Sequence, residues 1–387
     1  MTASDPSRRV ALAIFRLDPA GGLEQHCLRL AEALAARGWA VTLVTTAAPA
    51  AGVPPGLDLQ LIPRRGRTNH GRLAAFAADA ARAVAGRFER TVVFHAVPGF
   101  DVIFCADPSR AAPGPFRRWL PRYAAYAGLE RVAFGDRLGL ALMLSSAQRD
   151  GFARNTGAAP ARLALLPPTV DRRRVGVDSA AGRAEARQAL GLADDVAAWL
   201  WMGLQPKTKG LDRALHALAG APGSLLLVCG LDPASRNGRA MRRLASRLGV
   251  ASRVRWLGFA SDEGVRQALA AADLLVHPSR ADVTGTVILE ALAAGLPVIT
   301  TAVCGYGEHV ARAEAGIVLA EPFRADDLAA ALAAATPDAR RRWSARAASY
   351  AAQDELYSGI ERAADLIATA SAAGAASGPG AGPVGAA

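Results

Sequence analysis

Apolar and polar positions alternate on two scales along this chain. Runs of about four to eight residues rich in Val, Leu and Ile recur between longer Ala/Leu/Arg stretches whose apolar positions return at helical spacing. The short runs read as strands buried on both faces, and the long stretches as the helices that cover them. In the first half the candidate strands are RVALAIF, AVTLVTT, LDLQLIP, TVVFHAV, DVIFCAD and GLALMLSS; in the second they are AAWLWMG, SLLLVCG, RVRWLGF, DLLVHPS, PVITTAV and GIVLAE. The economical reading is an α/β chain of two doubly wound, Rossmann-like domains with parallel sheets. Ligands of such sheets sit at the carboxyl ends of the strands, so a site is expected in a cleft between the two domains.

Two prolines in LLPPTVDRRR, residues 165–174, interrupt the pattern, and a basic turn follows. The predicted division is residues 1–170, residues 171–350, a C-terminal helix over 351–369 that packs back on the first domain, and a disordered tail over 370–387. That tail, SAAGAASGPGAGPVGAA from residue 371, has nothing to bury. A 51% hydrophobic content with 20% charged residues is that of an ordinary globular protein. Four cysteines without a C-x-x-C pair fit a reduced, cytosolic compartment. The first apolar run is too short for a signal peptide, and no stretch is long enough to span a bilayer. Any membrane contact is therefore expected from the cytosolic surface.

Charge changes the picture in two ways. Residues 1–174 hold 24 arginines against 13 acids, whereas residues 175–387 hold 21 basic and 21 acidic side chains. The first half is therefore expected to meet something anionic. The 45 basic residues include only two lysines, Lys207 and Lys209, both in GLQPKTKGLD between a strand and a helix. A lysine is a compact cation on a flexible stem, suited to a diphosphate and to charge building on a leaving phosphate; two solvated loop lysines are the plain alternative.

Three further stretches can carry chemistry. In HPSRADVTGTVILEALAAGLPVITT, Asp282 lies in the loop after a strand and Glu290 on the following helix, with Gly285 and Thr286 at a helix N-terminus able to cradle a phosphate or a sugar hydroxyl. In DPAGGLEQHCLRL, Gly21 and Gly22 let a ligand approach the head of the first helix. They do not form a G-x-G-x-x-G fingerprint, so no dinucleotide cofactor is indicated. In FRRWLPRYAAY, Arg117, Arg118, Trp119 and Arg122 suit a surface resting on anionic headgroups, or else the solvated face of a helix packed on its own sheet. No recognised nucleic-acid module appears, and no D-x-D pair or His/Cys cluster has metal-ligand spacing.

With these stretches in view, the chain resembles the retaining glycosyltransferases of GT-B architecture, family 4. Within that family it is closest in pattern to the subgroup that adds glucose to a heptose of the lipopolysaccharide inner core. The resemblance rests on TNHGR (68–72), VPGFDVIFCAD (97–107), LLPP (165–168), KGLDR (209–213), AADLLVHP (271–278), LEALAAGLPVITTAVCGY (289–306), AEPF (320–323) and the terminal DELYS and AAD. It implies a UDP-glucose or related nucleotide-sugar donor on the second domain, a lipopolysaccharide inner-core acceptor on the first, peripheral attachment to the cytosolic face of the inner membrane, and neither cofactor nor metal. It places Lys209 on the donor diphosphate, Glu290 on the ribose, Asp282 on donor-sugar hydroxyls, Gly21 and Gly22 over the diphosphate, and Asp101 toward the acceptor. The sequence departs from the family pattern at Asp282, where a glutamate is usual, and at Thr208, where an arginine is common and for which Lys207 offers a replacement charge. It departs again at His95, where the subgroup has asparagine; His95 touches the donor sugar or simply ends a strand. The alternatives are the same reaction with UDP-galactose, UDP-GlcNAc or GDP-mannose, a UDP-sugar epimerase, and a non-catalytic membrane scaffold.

Overall fold

The computed structural model describes residues 8–17, 21–49, 52–112, 119–175 and 180–370. Twelve of the expected apolar runs form strands, and a thirteenth strand joins them. In the first half these are β1 (Arg9–Ala13), β2 (Ala40–Thr45), β3 (Asp58–Leu61), β4 (Arg90–Val93), β5 (Val102–Cys105), β6 (Leu140–Met143) and β7 (Leu163–Leu165). They form a seven-stranded sheet in the order β3-β2-β1-β4-β5-β6-β7. In the second half β8 (Ala197–Met202), β9 (Ser224–Cys229), β10 (Val254–Gly258), β11 (Leu274–His277), β12 (Val298–Thr301) and β13 (Gly316–Leu319) form a six-stranded sheet in the order β10-β9-β8-β11-β12-β13. The pairings in both sheets are parallel.

The helices of the first half are α1 (Gly22–Ala36), α2 (Asn69–Val84), α3 (Pro121–Ala133) and α4 (Ser146–Thr156). Those that follow are α5 (Ala180–Ala189), α6 (Leu211–Ala219), α7 (Arg236–Arg247), α8 (Asp262–Ala271), α9 (Thr286–Ala293), α10 (Gly307–Ala313), α11 (Ala325–Ala334), α12 (Pro337–Ala351) and α13 (Gly359–Thr369). Each sheet buries both faces, which explains its near-continuous apolar strands. In β1, Val10 and Leu12 enter one core while Ala11 and Ala13 enter the other. In β8, Leu200 and Met202 face one core while Trp199 and Trp201 face the opposite one.

The chain divides into two units, residues 1–166 with 360–387 and residues 167–359. Two expected boundaries shift for identifiable reasons. Leu163–Leu165, which no expected strand covered and whose last residue begins the proline-rich join, pairs with β6 as an edge strand, where a short run needs no second neighbour. The helix expected from residue 351 starts at Gly359, because Leu356 and Tyr357 first pack into the second unit's core and Val170 N–H donates to the Leu356 carbonyl at 3.2 Å. Beyond that turn, Ile360, Ala363, Ala364 and Ile367 of α13 repeat at helical spacing and share a core with Leu30 and Leu34 of α1. Burying each isoleucine contributes about 1.5–3 kcal/mol, and Arg37 clasps the helix from outside through Glu361 at 2.7 Å and Asp365 at 2.9 Å. Where the chain leaves the second unit, Gly359 N–H bonds the Pro168 carbonyl at 3.0 Å, and a side chain at 359 would lie 2.2 Å from the Pro167 oxygen. The expected disordered tail, beyond Ala370, lies outside the described residues.

Candidate active site

In the second unit the candidate residues gather at the carboxyl ends of β8 and β11. The loop after β8 carries both lysines and enters α6 through Gly210, whose φ of +74° is left-handed. A Cβ there would stand 2.0 Å from the Pro278 carbonyl, so glycine lets the lysine loop lie directly on the loop after β11. Two arginines clamp this contact. Arg213 donates to the Pro278 and Ser279 carbonyls at 3.0 and 3.1 Å, while Arg280 donates to the Lys207 carbonyl at 2.6 Å and grips Asp212 with two bonds of 2.8 Å. The Thr208 carbonyl accepts from Arg280 N–H at 2.7 Å and Ser279 Oγ at 3.0 Å.

This frame fixes Lys209. Its carbonyl accepts the Trp201 indole N–H at 2.9 Å, and its ammonium lies 2.7 Å from Asp282 Oδ2. The same oxygen is 3.0 Å from His277 Nε2. Burial alone would raise the Asp282 carboxyl, but the His277 hydrogen bond and the Lys209 ammonium outweigh it and hold the group at about 2. Burial works against a charge on His277 as well, yet Asp282 and Cys304 raise its pKa above the ordinary histidine value. Lys207 is exposed, and the structure does not bring its ammonium to this pair; its backbone carbonyl does the bonding.

Gly285, also left-handed at φ +80°, opens α9 beside Asp282. Thr286 stands in the first turn of α9, and Glu290 is buried one turn further on. Arg174 Nε meets Glu290 Oε1 at 3.0 Å. Burial pushes the Glu290 carboxyl up, with Arg174 opposing and Asp262 and Asp171 adding to the rise. Two helix N-termini, α6 and α9, thus flank one ammonium, an arrangement that favours an anion.

Sequence reasoning missed several members of this site. His277, Cys304 and Asp282 present donor atoms within 4.8 Å of one another: β11, β12 and their following loops assemble a group that spacing along the chain conceals. The Asp282 oxygen in that trio already faces an ammonium, and like charge opposes a cation there. Tyr306 N–H donates to the Thr284 carbonyl at 2.6 Å, and Gly305 N–H to the Asp282 carbonyl at 3.1 Å, fastening this loop. Gly203, Gly230 and Gly258 end β8, β9 and β10 so closely that Gly230 N–H bonds the Gly258 carbonyl at 2.7 Å; Leu204 and Phe259 beside them are exposed. The glycine after each apolar run was the available signal.

In the first unit Gly21 caps α1, and a Cβ there would meet the Glu24 carboxylate, which leans over the helix end. Gly22 faces open space. His95, just past β4, accepts the Phe15 N–H on Nε2 at 3.1 Å and meets the Phe76 ring edge-on. Burial pushes its pKa down to about 4, so it stays neutral. Asp101 departs from its expected acceptor-facing role. It precedes β5, at the amino end of the sheet, where its Oδ2 accepts Thr91 N–H at 2.9 Å and Thr91 Oγ1 at 2.7 Å. The acid at the carboxyl end of the same strand is Asp107, half-exposed, with Arg110 at 3.5 Å. Buried Glu130 organises that loop by accepting from Ser109 and from the Arg110 and Ala111 N–H groups, the last two at 2.6 and 3.1 Å. Arg110 lies over the Tyr126 ring at 4.6 Å. Trp119 is 77% exposed and Arg122 covers Tyr123 at 4.8 Å; Arg117 and Arg118 lie outside the described residues. No helix among the described residues is long and apolar enough to cross a membrane.

Comparison with known proteins identifies the family and the fold. Residues 20–174 match the family model "Glycosyltransferase Family 4" and residues 182–351 match "Glycosyl transferases group 1". The chain is 36% identical over 373 residues to the lipopolysaccharide glucosyltransferase WaaG of Escherichia coli K12, covering 92% of this chain and 98% of that protein. It belongs to the family 4 glycosyltransferases. The fold is GT-B: a crystal structure of WaaG superposes with a TM-score of 0.85 at 35% identity, over 93% of this chain and 100% of that one. The D-inositol 3-phosphate glycosyltransferase of Mycobacterium tuberculosis strain H37Ra is 29% identical over 354 residues, 79% of this chain and 71% of its own. Anabaena HepE, solved in complex with UDP-glucose, shares the fold at a TM-score of 0.71 and 19% identity, over 93% of this chain and 98% of its own.

Proposed function

We propose that this glycosyltransferase moves glucose from UDP-glucose to a heptose of the lipopolysaccharide inner core, with retention of configuration and without a metal or cofactor, while resting on the cytosolic face of the inner membrane. The observation that carries the reading is the Lys209–Asp282 ion pair of 2.7 Å between the N-termini of α6 and α9, in a chain 36% identical to a lipopolysaccharide glucosyltransferase. In this reading the Lys209 ammonium neutralises charge growing on the departing diphosphate, where a fixed cation in a sheltered site is most effective. Glu290 accepts from the ribose hydroxyls, and Gly21 and Gly22 let the head of α1 approach the diphosphate. The acceptor hydroxyl attacks from the face that UDP leaves, and the protein contributes orientation rather than a covalent nucleophile.

The test is a panel of labelled nucleotide sugars offered with lipopolysaccharide truncated to its inner core. Glucose transfer from UDP-glucose, unchanged by EDTA, is the expected outcome. Transfer from no donor, or an EDTA loss restored by Mg²⁺, would overturn the corresponding part. One observation favours a second reading: Asp282 Oδ2 is already engaged by Lys209 and His277, which leaves less of its acceptor capacity for sugar hydroxyls. The same reaction with UDP-galactose, UDP-GlcNAc or GDP-mannose fits that geometry, and the panel separates them.

A further inference from the structure

The even charge of residues 175–387 conceals a concentrated field. Residues 233–261 contain seven arginines and no acid, leaving 14 basic and 21 acidic side chains in the rest of that half. Five of the seven, Arg236, Arg239, Arg242, Arg243 and Arg247, lie on α7, and all five are exposed. The opposite face of α7 packs inward through Gly238, Met241 and Ala245, at helical spacing. The arginines therefore form one outward face along a helix about 18 Å long. None of the five forms an ion pair among the described residues.

Such a face is costly to the isolated protein. Like charges three and four residues apart destabilise a helix, and Arg236 and Arg239 crowd the positive end of the helix dipole, capped by Ser235. Several arginines elsewhere in the unit find acids: Arg280 holds Asp212, Arg183 holds Asp273, and Arg174 holds Glu290. Others, such as Arg213 and Arg253, bond backbone carbonyls. Five like charges gathered on one exposed helix face are what an external anion would relieve.

We infer that the α7 face is a docking surface for anionic phospholipid headgroups, separate from the Trp119–Arg122 surface of the first unit. Lipid phosphate is favoured over single-stranded nucleic acid because the α7 face carries no aromatic ring on which a base could stack. Guanidinium forks suit phosphate oxygens, and each charge near an anionic surface adds to the attraction.

The experiment is sedimentation with vesicles of equimolar phosphatidylglycerol and phosphatidylcholine, against phosphatidylcholine alone. Wild type binds the anionic vesicles, binding weakens with salt, and the variant R239E/R243E/R247E loses on the order of a hundredfold in partitioning. Its UDP affinity stays unchanged, because none of these side chains bonds Lys209, Asp282 or Glu290 among the described residues. If the reversed variant fails to fold, R239Q/R243Q gives a smaller loss in the same direction. Unchanged vesicle binding in a folded variant overturns the inference. So does tighter binding of the wild type to single-stranded poly(U) than to the vesicles, lost in the same variant, which would make nucleic acid the partner.

Discussion

The two sheets share a winding but dress their carboxyl edges differently. In the second unit the edge is a network of ions: Lys209, Asp282 and His277 in one group, Arg174 and Glu290 in another. In the first unit the residues past the strands are held more by packing: His95 is kept uncharged against Phe15 and Phe76, Arg64 lies over the Phe15 ring at 5.9 Å, and Asp107 pairs with Arg110. One edge is organised by charge that an anion can compete for; the other is organised largely by packing. The same winding thus yields two chemically different edges through the residues that follow each strand.

The sharpest way to break this contrast is K209A. Turnover is expected to fall by about 10²–10³-fold, with UDP affinity reduced and the melting temperature held, since His277 still pairs with Asp282; calorimetry and steady-state kinetics check both. Next comes a pair of glycine substitutions. G210A places a methyl against the Pro278 carbonyl in a left-handed residue and should destabilise the second unit by about 3 kcal/mol or more. G22A enters open space on a helix and should leave chemical denaturation unchanged within about 0.5 kcal/mol, while raising the donor KM.

Acidification separates the units by sign. A histidine lowered to about 4, as His26 and His95 are, contributes stability that is whole above its unfolded pKa near 6.5 and is lost as pH falls toward 4. His277 is raised, so its contribution is whole below 6.5 and is lost as pH climbs through its folded value. His309 of the second unit follows the first pattern, which makes the second unit mixed. Between pH 7 and 5, amide exchange should therefore show the first unit losing about 2 kcal/mol per lowered histidine and the second losing less. The smallest effect is expected from D101N: a loss of about 1 kcal/mol with turnover per folded molecule within about twofold. A collapse of turnover at unchanged stability would restore Asp101 to the acceptor site.

Strand positions were legible because buried parallel strands are nearly uninterrupted apolar runs, and Lys209 stood out because arginine fills almost every other basic position. The partners of the site residues were not legible. His277, Cys304 and Arg174 reach Asp282 and Glu290 through folded geometry, and Arg174 is more than a hundred residues from Glu290 in the sequence. Asp101 was misplaced for a different reason. The run DVIFCAD carries an acid at each end, and strand direction alone decides that Asp107, not Asp101, reaches the carboxyl edge. Similarly, averaging charge over a whole half hid the arginines of α7.

The return of α13 to the first unit has a consequence for biosynthesis. Leu30 and Leu34 are among the earliest core residues to leave the ribosome, yet their partners Ile360 and Ile367 are made only after residues 167–359. At about 5–20 residues per second the nascent first unit waits on the order of ten seconds or more with an apolar flank uncovered. A chaperone that recognises that flank during translation is the component whose depletion should lower the yield of this enzyme before it alters any property of the finished molecule.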